Sequence, residues 1–243
     1  MAGTLAERQE TGLVDAINLF SEKKGGKPFT LQAGSTRLTN VLSANKVMGR
    51  SASGDEPYTD VEIKTTNKIY KLSMKGPSAP SMAGGGLNGL EKIVPGFSGR
   101  FIQAAYEKYL QLGYTQGQQI PDMYGQIGAE LKETIVLGTQ AMGGPITHMY
   151  IGPMDVHSTS SGNTLTVNGR LHDAKKYARE HDLYLRLRKR RADQPFETKE
   201  KDKKGYPLIL GKSPSAGDKG RRIVIVAKPP SNAIVVTLSL IHI

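Results

Sequence analysis

The chain has 243 residues and a formal net charge of +11, and it contains no cysteine, which excludes disulfides, thiolate metal sites and cysteine nucleophiles. Its length suffices for a substantial hydrophobic core, and none of its apolar runs is long enough to span a membrane. The five histidines lack the spacing of a zinc site, and the absence of a secretory signal predicts a cytoplasmic protein.

The first predicted element is an amphipathic helix that begins near Thr4, since Thr4 and Glu7 have the spacing of a capping box. Its apolar stripe consists of Leu13, Val14, Ile17 and Phe20. Glu10 stands three and four residues before the first two of these, so we expect it on the inward face, where a carboxylate needs a partner. The alternative is that Glu10 lies at the edge of the stripe and reaches water.

A β-hairpin is predicted between residues 59 and 75. Apolar residues alternate along both arms, as Val61 and Ile63 on the first and as Tyr70, Leu72 and Met74 on the second. Period two places Ser73 and Lys75 on one face of the second arm, and Asp60 opens the first. Hydrolysis of a phosphodiester requires a metal held by oxygen ligands and a cation that orients water, roles that Asp60 and Lys75 suit. The alternative is an exposed hairpin with a solvated charged face.

The hairpin resembles the PD-(D/E)xK nuclease superfamily, in which an Asp on one strand is followed across a hairpin by a (D/E)-x-K tripeptide. Here the tripeptide is Ser73-Met74-Lys75, so a serine, a weaker ligand for Mg²⁺, stands at the acidic position. Over about the first hundred residues, the resemblance implies a restriction-endonuclease-like core and a site for Mg²⁺ or Mn²⁺. Asp60, Glu10 and the Met74 carbonyl would hold the metal, with Glu7 in reserve for Glu10. Lys75 would position the attacking water.

Two other patterns lie near the hairpin. A literal E-x-K occurs at Glu62-Ile63-Lys64 with Asp55 upstream, but it leaves little chain for a strand between the acid and the tripeptide, so we favour Asp60 with Lys75. Residues 76–89 are rich in Gly, Pro and Ser, and their backbone N–H groups could approach a phosphate. The three glycines 84–86 alone are weak support for a small-molecule phosphate site.

The rest of the chain is predicted to alternate between helices and strands. The pattern predicts helices over 98–112, 122–137 and 172–180, a strand over 146–151, and a hairpin that turns at Gly162-Asn163. It further predicts a basic strand over 183–189, a lysine-rich loop over 193–220, and two final strands, 222–227 and 233–240, paired with each other.

Positive charge is concentrated near the C-terminus. Residues 170–222 hold seventeen Lys or Arg against eight Asp or Glu, an excess of 17 − 8 = +9. Such a segment is typical of a nucleic-acid-binding surface, with DNA favoured over RNA, because Lys and Arg release counterions from phosphates. The residues predicted to contact nucleic acid are Arg186, Arg188, Lys189, Arg190, Arg191, Arg221 and Arg222. The alternative is an ordinary solvated basic face.

Taken together, the patterns predict an α+β protein with a mixed central sheet flanked by helices. Residues 1–97 would begin the nuclease-like core, and residues 98–243 would form a basic lobe packed with it as one unit. The order of the D…S-x-K hairpin, the helices and the RLRKRR strand also resembles a group of uncharacterised bacteriophage proteins. The expected function is a Mg²⁺-dependent DNA endonuclease or nuclease-like protein in the cytoplasm of a bacterial host, compatible with a homodimer. The alternative is a non-enzymatic nucleic-acid-binding or phage structural protein.

Overall fold

The computed structural model describes residues 5–49, 52, 57–77, 93–114, 121–188, 222–226, 229 and 231–237. The helices are α1 (Leu5–Lys23), α2 (Phe97–Gln111), α3 (Ala129–Leu137) and α4 (Ala174–Glu180), with a short 3₁₀ turn at Gln140–Met142. The strands are β1 (Phe29–Ala33), β2 (Thr36–Lys46), β3 (Val61–Thr65), β4 (Ile69–Lys75), β5 (Met123–Gln126), β6 (His148–Ile151), β7 (Ser158–Ser161), β8 (Thr164–Val167), β9 (Arg170–Asp173), β10 (Tyr184–Arg188), β11 (Arg222–Val226) and β12 (Ile234–Thr237). The predicted α+β class is confirmed.

The chain divides into two compact units, each built from two stretches. The first unit contains residues 1–80 and 136–180, and the second contains residues 81–135 and 181–243. The single boundary expected after residue 97 therefore differs from this division. The reason is that strands β6 to β9, distant in sequence, join the N-terminal strands in one sheet.

The first unit is organised around a mixed eight-stranded sheet in the order β7-β8-β1-β2-β3-β4-β6-β9. Strands β2, β3 and β4 form an antiparallel meander, which confirms the predicted hairpin of β3 and β4. Strand β6 pairs parallel to β4, and β8 pairs parallel to β1. The sheet is curved, since the Thr36 hydroxyl of β2 donates to the Leu171 carbonyl of β9 over 2.7 Å although three strands separate them in the order.

Helix α1 packs on this sheet through the stripe that the sequence predicts. Leu13 and Ile17 are fully buried, and the Phe20 ring meets Phe29 edge-on with centroids 4.9 Å apart. The Asn18 amide also exchanges two hydrogen bonds of 2.9 Å with the backbone of Ala44 in β2. The helix is thus tied to the sheet by polar as well as apolar contacts, and its orientation over the strands is fixed.

The second unit contains a four-stranded sheet in the order β11-β10-β5-β12. Strand β10 confirms the basic strand predicted near residue 183, because Leu185 and Leu187 are buried while Arg186 between them is partly exposed. Helix α2 confirms the helix expected over 98–112, and its residues Phe101, Ala105 and Tyr109 are fully buried. One face of this sheet therefore supplies the core of the unit.

The short helix expected over 172–180 is confirmed, although it begins at Ala174, where the Asp173 carboxylate accepts the Lys176 N–H over 2.7 Å. Two other predictions are wrong. The helix expected over 122–137 begins as strand β5, and only Ala129–Leu137 is helical, because pairing with β10 and β12 outweighs the local helical pattern. The last two strands do not pair with each other, since β10 and β5 lie between them in the sheet.

Several sequence expectations concern residues that the structure does not describe. These are the capping residue Thr4, Asp55, most of the Gly-rich stretch 76–89, and the loop 193–220. In the part of the chain that is described, no helix combines the length and the hydropathy needed to span a bilayer.

Candidate functional site

Asp60 is held at the point where β2, β3 and β4 meet. Its N–H donates to the Leu72 carbonyl over 2.8 Å, and its carbonyl accepts the Val47 N–H over 2.9 Å. The preceding residue is also anchored, since the buried Thr59 hydroxyl donates to the Gly143 carbonyl over 2.6 Å. The backbone of Asp60 is therefore fixed by hydrogen bonds to Leu72 of β4 and to Val47 after β2, and this fixes the position from which its side chain extends.

The Asp60 carboxylate points across the hairpin to the tripeptide on β4. Its Oδ2 atom accepts the Met74 N–H over 2.6 Å and the Ser73 hydroxyl over 3.1 Å. Both bonds use the same oxygen, so Oδ1 is committed to neither. The pairing of Asp60 with the Ser73-Met74-Lys75 tripeptide that the sequence indicated is thus present in the fold.

Burial raises the pKa of the Asp60 carboxyl above its ordinary value of 3.8. The Lys75 ammonium and the hydrogen bond from the Met74 N–H lower it, whereas the nearby Glu10 carboxylate raises it further. Two charged side chains from different elements, Lys75 on β4 and Glu10 on α1, therefore lie close enough to Asp60 to change its protonation. Glu10 and Lys75 thus lie within electrostatic reach of Asp60, and together with Ser73 and Met74 they make up the Asp60 cluster.

Met74 contributes its backbone to this cluster. The N–H and the C=O of one residue in a strand point to the same side, so the Met74 carbonyl lies on the Asp60 side of β4. Its side chain is buried in the core instead. The Met74 backbone and the Asp60 carboxylate therefore lie on the same side of β4.

Glu10 has a partner that the sequence analysis missed. Its Oε2 atom lies 2.8 Å from the Lys46 ammonium at the end of β2, and only 16% of the Glu10 side chain and 27% of the Lys46 side chain are exposed. Lys46 pairs with Val61 in the β2–β3 ladder, one residue after Asp60. Glu10 thus lies at the edge of the buried stripe, paired with Lys46 and within electrostatic reach of Asp60. The reserve candidate Glu7 is exposed.

Gln9 is a second residue that the sequence analysis missed. It is 2% exposed, and its Nε2 atom lies 3.1 Å from the Lys75 carbonyl, 2.8 Å from the Gly152 carbonyl and 3.0 Å from the Pro153 carbonyl. The signal was available, because Gln9 precedes Leu13 by four residues and so occupies an apolar-stripe position with a polar side chain. This amide ties α1 to the ends of β4 and β6 beside the cluster.

The oxygen donors around Asp60 suit a hard divalent cation. Carboxylate, carbonyl and hydroxyl oxygens are the ligands that Mg²⁺ prefers, and Mg²⁺ is commonly held by one or two carboxylates with several waters. Within the described ranges, no three His, Cys, Asp or Glu side chains are grouped closely enough to hold a metal ion. Asp60 and Glu10 would therefore need help from the Met74 carbonyl, the Ser73 hydroxyl and water.

The basic strand belongs to the other unit, and its described arginine has partners of its own. The Arg186 guanidinium donates to the Asp122 carboxylate from Nε over 2.9 Å and from a terminal nitrogen over 2.5 Å. It also lies over the Tyr124 ring, 5.9 Å from the centroid. Arg186 is therefore engaged within its own sheet, which reduces its availability to phosphates.

The remaining predicted nucleic-acid contacts are only partly described. The backbone register places Arg188 opposite Arg222 at the end of the β10–β11 ladder. Lys189, Arg190, Arg191 and Arg221 lie outside the described residues. Arg188 and Arg222, the described residues on either side of the stretch 189–221, are thus neighbours in the four-stranded sheet.

Comparison of the chain with protein-family models, with curated proteins and with solved structures found no match.

Proposed function

We propose that the protein is a divalent-cation-dependent phosphodiesterase that cleaves nucleic acid, with DNA as the preferred substrate. The observation that carries this proposal is the fixed Asp60 carboxylate, joined to Ser73 and Met74 and within electrostatic reach of both Glu10 and Lys75. A buried carboxylate with a raised pKa beside a lysine is an arrangement that active sites share. The proposal includes action in the cytoplasm of a bacterial host and assembly as a homodimer.

Each residue of the cluster has a role that its position supports. Asp60 and Glu10 would hold the cation with the Met74 carbonyl, and a bound Mg²⁺ supplies charge stabilisation for the reacting phosphoryl oxygens. Lys75 presents an ammonium group that can orient water and offset negative charge as it develops. The Ser73 hydroxyl donates to Oδ2 of Asp60, so Oδ1 would be the oxygen of this carboxylate that binds the cation.

The second candidate is a nucleic-acid-binding protein without hydrolytic activity, such as a virion component. Two observations favour it. Residue 73 is a serine where the resembled superfamily has a carboxylate, and Glu10 is already neutralised by Lys46. In this case the same fold would persist while the cluster served only to stabilise the sheet.

A cleavage assay separates these functions. The protein is incubated with supercoiled plasmid, single-stranded DNA and RNA in the presence of Mg²⁺ or Mn²⁺. We expect cleavage by the wild type and a loss of about 10²-fold or more in Asp60→Ala and Lys75→Ala, since each removes a group that acts at the reacting centre. Lys64→Ala tests the alternative E-x-K tripeptide, and its activity should be unchanged because Lys64 is exposed on β3.

Lys27→Ala is the matched control for removal of one positive charge, since Lys27 is exposed after α1. Cleavage that survives both Asp60→Ala and Lys75→Ala would reject this site. Binding of DNA without cleavage under any metal condition would favour the second candidate.

A further inference from the structure

Four charged side chains from four parts of the chain are linked electrostatically. Glu10 of α1 forms an ion pair with Lys46 of β2, and both Glu10 and Lys75 of β4 lie within electrostatic reach of Asp60, which precedes β3. The two carboxylates and the two ammonium groups have formal charges that sum to 2 − 2 = 0. A two-carboxylate site that lacked these lysines would carry a charge of −2 and would attract a divalent cation strongly.

Lys46 is the lysine placed to oppose a cation directly. Its ammonium contacts Glu10 Oε2 over 2.8 Å, a charge-assisted hydrogen bond between two side chains that are each less than one-third exposed. A cation that used this oxygen of Glu10 would have to displace the ammonium. Lys75 has a different role, since the resemblance to the (D/E)-x-K tripeptide implies that it positions the attacking water and does not pair with a metal ligand.

We propose that Lys46 is a built-in counter-ion that competes with the divalent cation for Glu10. The inference rests on the metal role in the proposed function and adds a residue that sets the affinity of the site. Lys46 keeps Glu10 neutralised in the metal-free protein, so the partly buried acid costs little stability there. The same contact weakens cation binding, because the binding free energy must include separation of the ion pair.

Metal affinity of the purified, metal-free protein tests this directly. Binding of Mn²⁺ is measured by electron paramagnetic resonance of the free ion, without nucleic acid, for the wild type, Lys46→Met and Lys46→Arg. We expect Lys46→Met to bind Mn²⁺ about tenfold more tightly, within the range of roughly 5–150-fold typical of coupled binding. Lys46→Arg retains the positive charge and should bind as weakly as the wild type.

Three further variants make the result specific. Lys27→Met removes an exposed charge elsewhere and should leave the affinity unchanged. Asp60→Ala should abolish binding in every background. Glu10→Gln removes the acid for which Lys46 and the cation compete, so Lys46→Met should have no effect in a Glu10→Gln background. Circular dichroism and thermal unfolding in EDTA confirm that each variant is folded.

The outcomes distinguish the counter-ion from the metal site itself. Equal Mn²⁺ affinity of wild type and Lys46→Met, with binding still dependent on Asp60, overturns the role of Lys46 and leaves the proposed metal site standing. Absence of Mn²⁺ binding in all folded variants overturns the metal site, and the counter-ion with it. Tighter binding by Lys46→Met that persists in the Glu10→Gln background also overturns the proposal, because the competition would not be for Glu10.

Discussion

The Asp60 carboxylate is subject to two opposing effects. Its hydrogen bonds with Met74 and Ser73 favour the charged form, whereas burial favours the neutral form. Burial raises its pKa, while Lys75, Met74 and Ser73 act in the opposite direction, and the resulting pKa is raised. The ionised form of this group is therefore less favourable in the folded protein than in the unfolded chain. Such a cost at a fixed position is expected for a group kept for function rather than for stability.

Asp60→Asn should consequently stabilise the protein at neutral pH. The pKa of Asp60 is raised in the folded state, so the folded protein binds more protons than the unfolded chain between about pH 3.8 and this raised pKa. The contribution of Asp60 to stability therefore falls as the pH rises through this range. An amide oxygen can still accept from Met74 and Ser73 but carries no charge. We expect the midpoint of urea unfolding in EDTA to rise at pH 7 relative to wild type, with the difference shrinking toward pH 4.

Asp15→Asn serves as the control, since Asp15 is exposed on α1. Its unfolding midpoint should differ little from that of the wild type across the same pH range. A decrease in the stability of Asp60→Asn at pH 7 would mean that the ionised carboxylate, through Lys75 and its hydrogen bonds, is a net structural asset, which would weaken the functional interpretation.

At the residue scale, the sequence could predict which side chains are neighbours where the pattern is local. It placed Asp60 beside Ser73 and Lys75 because a period-two strand fixes which side chains share a face, and the hairpin fixes which strands are neighbours. It also placed Glu10 toward the sheet. Lys46 was missed because it joins Glu10 across 36 residues, and the register of β2 with β3 that brings it there has no local signature.

At the scale of the element, the buried amide of Gln9 adds to the apolar contacts and to the Asn18 hydrogen bonds that dock helix α1 on the sheet. The Gln9 amide donates hydrogen bonds to backbone carbonyls at the ends of β4 and β6, two strands that pair in parallel. A single side chain therefore connects α1, β4 and the segment after β6. These carbonyls are far from Gln9 in sequence. A change at Gln9 is therefore expected to loosen the helix over the site, beyond its effect on helix propensity.

Gln9→Ala should destabilise the protein by about 2–4 kcal/mol, because it removes buried hydrogen bonds and leaves a cavity. Gln9→Met restores most of the volume without the donor, so it should recover the cavity contribution and leave the hydrogen-bond contribution of about 1–3 kcal/mol. Chemical denaturation of both variants measures the two parts separately. Thr11→Ala, at an exposed position of α1, should change stability by less than about 0.5 kcal/mol. Equal stability of Gln9→Met and wild type would contradict a structural role for the amide.

The predicted elements differ in the same way: those specified by a local pattern were predicted correctly, and those that depend on pairing with distant strands were not. Helix α1, helix α2 and the β3–β4 hairpin were predicted because their apolar periodicity is contained in one stretch of chain. Strand β5 was assigned to a helix because its partners, β10 and β12, lie more than 50 residues later. The pairing of β11 with β12 was expected from adjacency, whereas each joins a strand from elsewhere in the chain.

At the scale of the whole molecule, the Asp60 cluster and the basic strand β10 belong to different units. The Asp60 cluster lies in the first unit, and strand β10 and the residues after it lie in the second. Positive charge is expected to provide affinity for a polyanion without sequence choice. We therefore expect that the proposed cleavage and the proposed binding can be removed separately by substitution.

Nucleic-acid affinity should depend on the basic residues that follow β10. The triple variant Lys189→Ala, Arg190→Ala and Arg191→Ala should bind DNA more weakly, with the slope of log K against log salt reduced by up to about 0.7–0.9 for each phosphate that the variant no longer neutralises. Fluorescence anisotropy at several salt concentrations measures this slope. The control is Lys23→Ala, Lys27→Ala and Arg37→Ala, which removes the same charge from exposed positions of the first unit. Equal slopes for the two triple variants would mean that residues 189–191 affect DNA binding only through the net charge of the protein.

Arg186 should behave differently from those neighbours, because its guanidinium is already bound to Asp122 and lies over Tyr124. Arg186→Ala takes the guanidinium away from a partly buried carboxylate, so we expect stability to fall by about 1–3 kcal/mol with little change in the salt dependence of DNA binding. Urea unfolding and the same anisotropy titration measure the two effects on one sample. A reduced salt slope of Arg186→Ala at unchanged stability would show that Arg186 leaves Asp122 to contact phosphate. The Arg186–Asp122 ion pair would then contribute to nucleic-acid binding rather than to the stability of the fold.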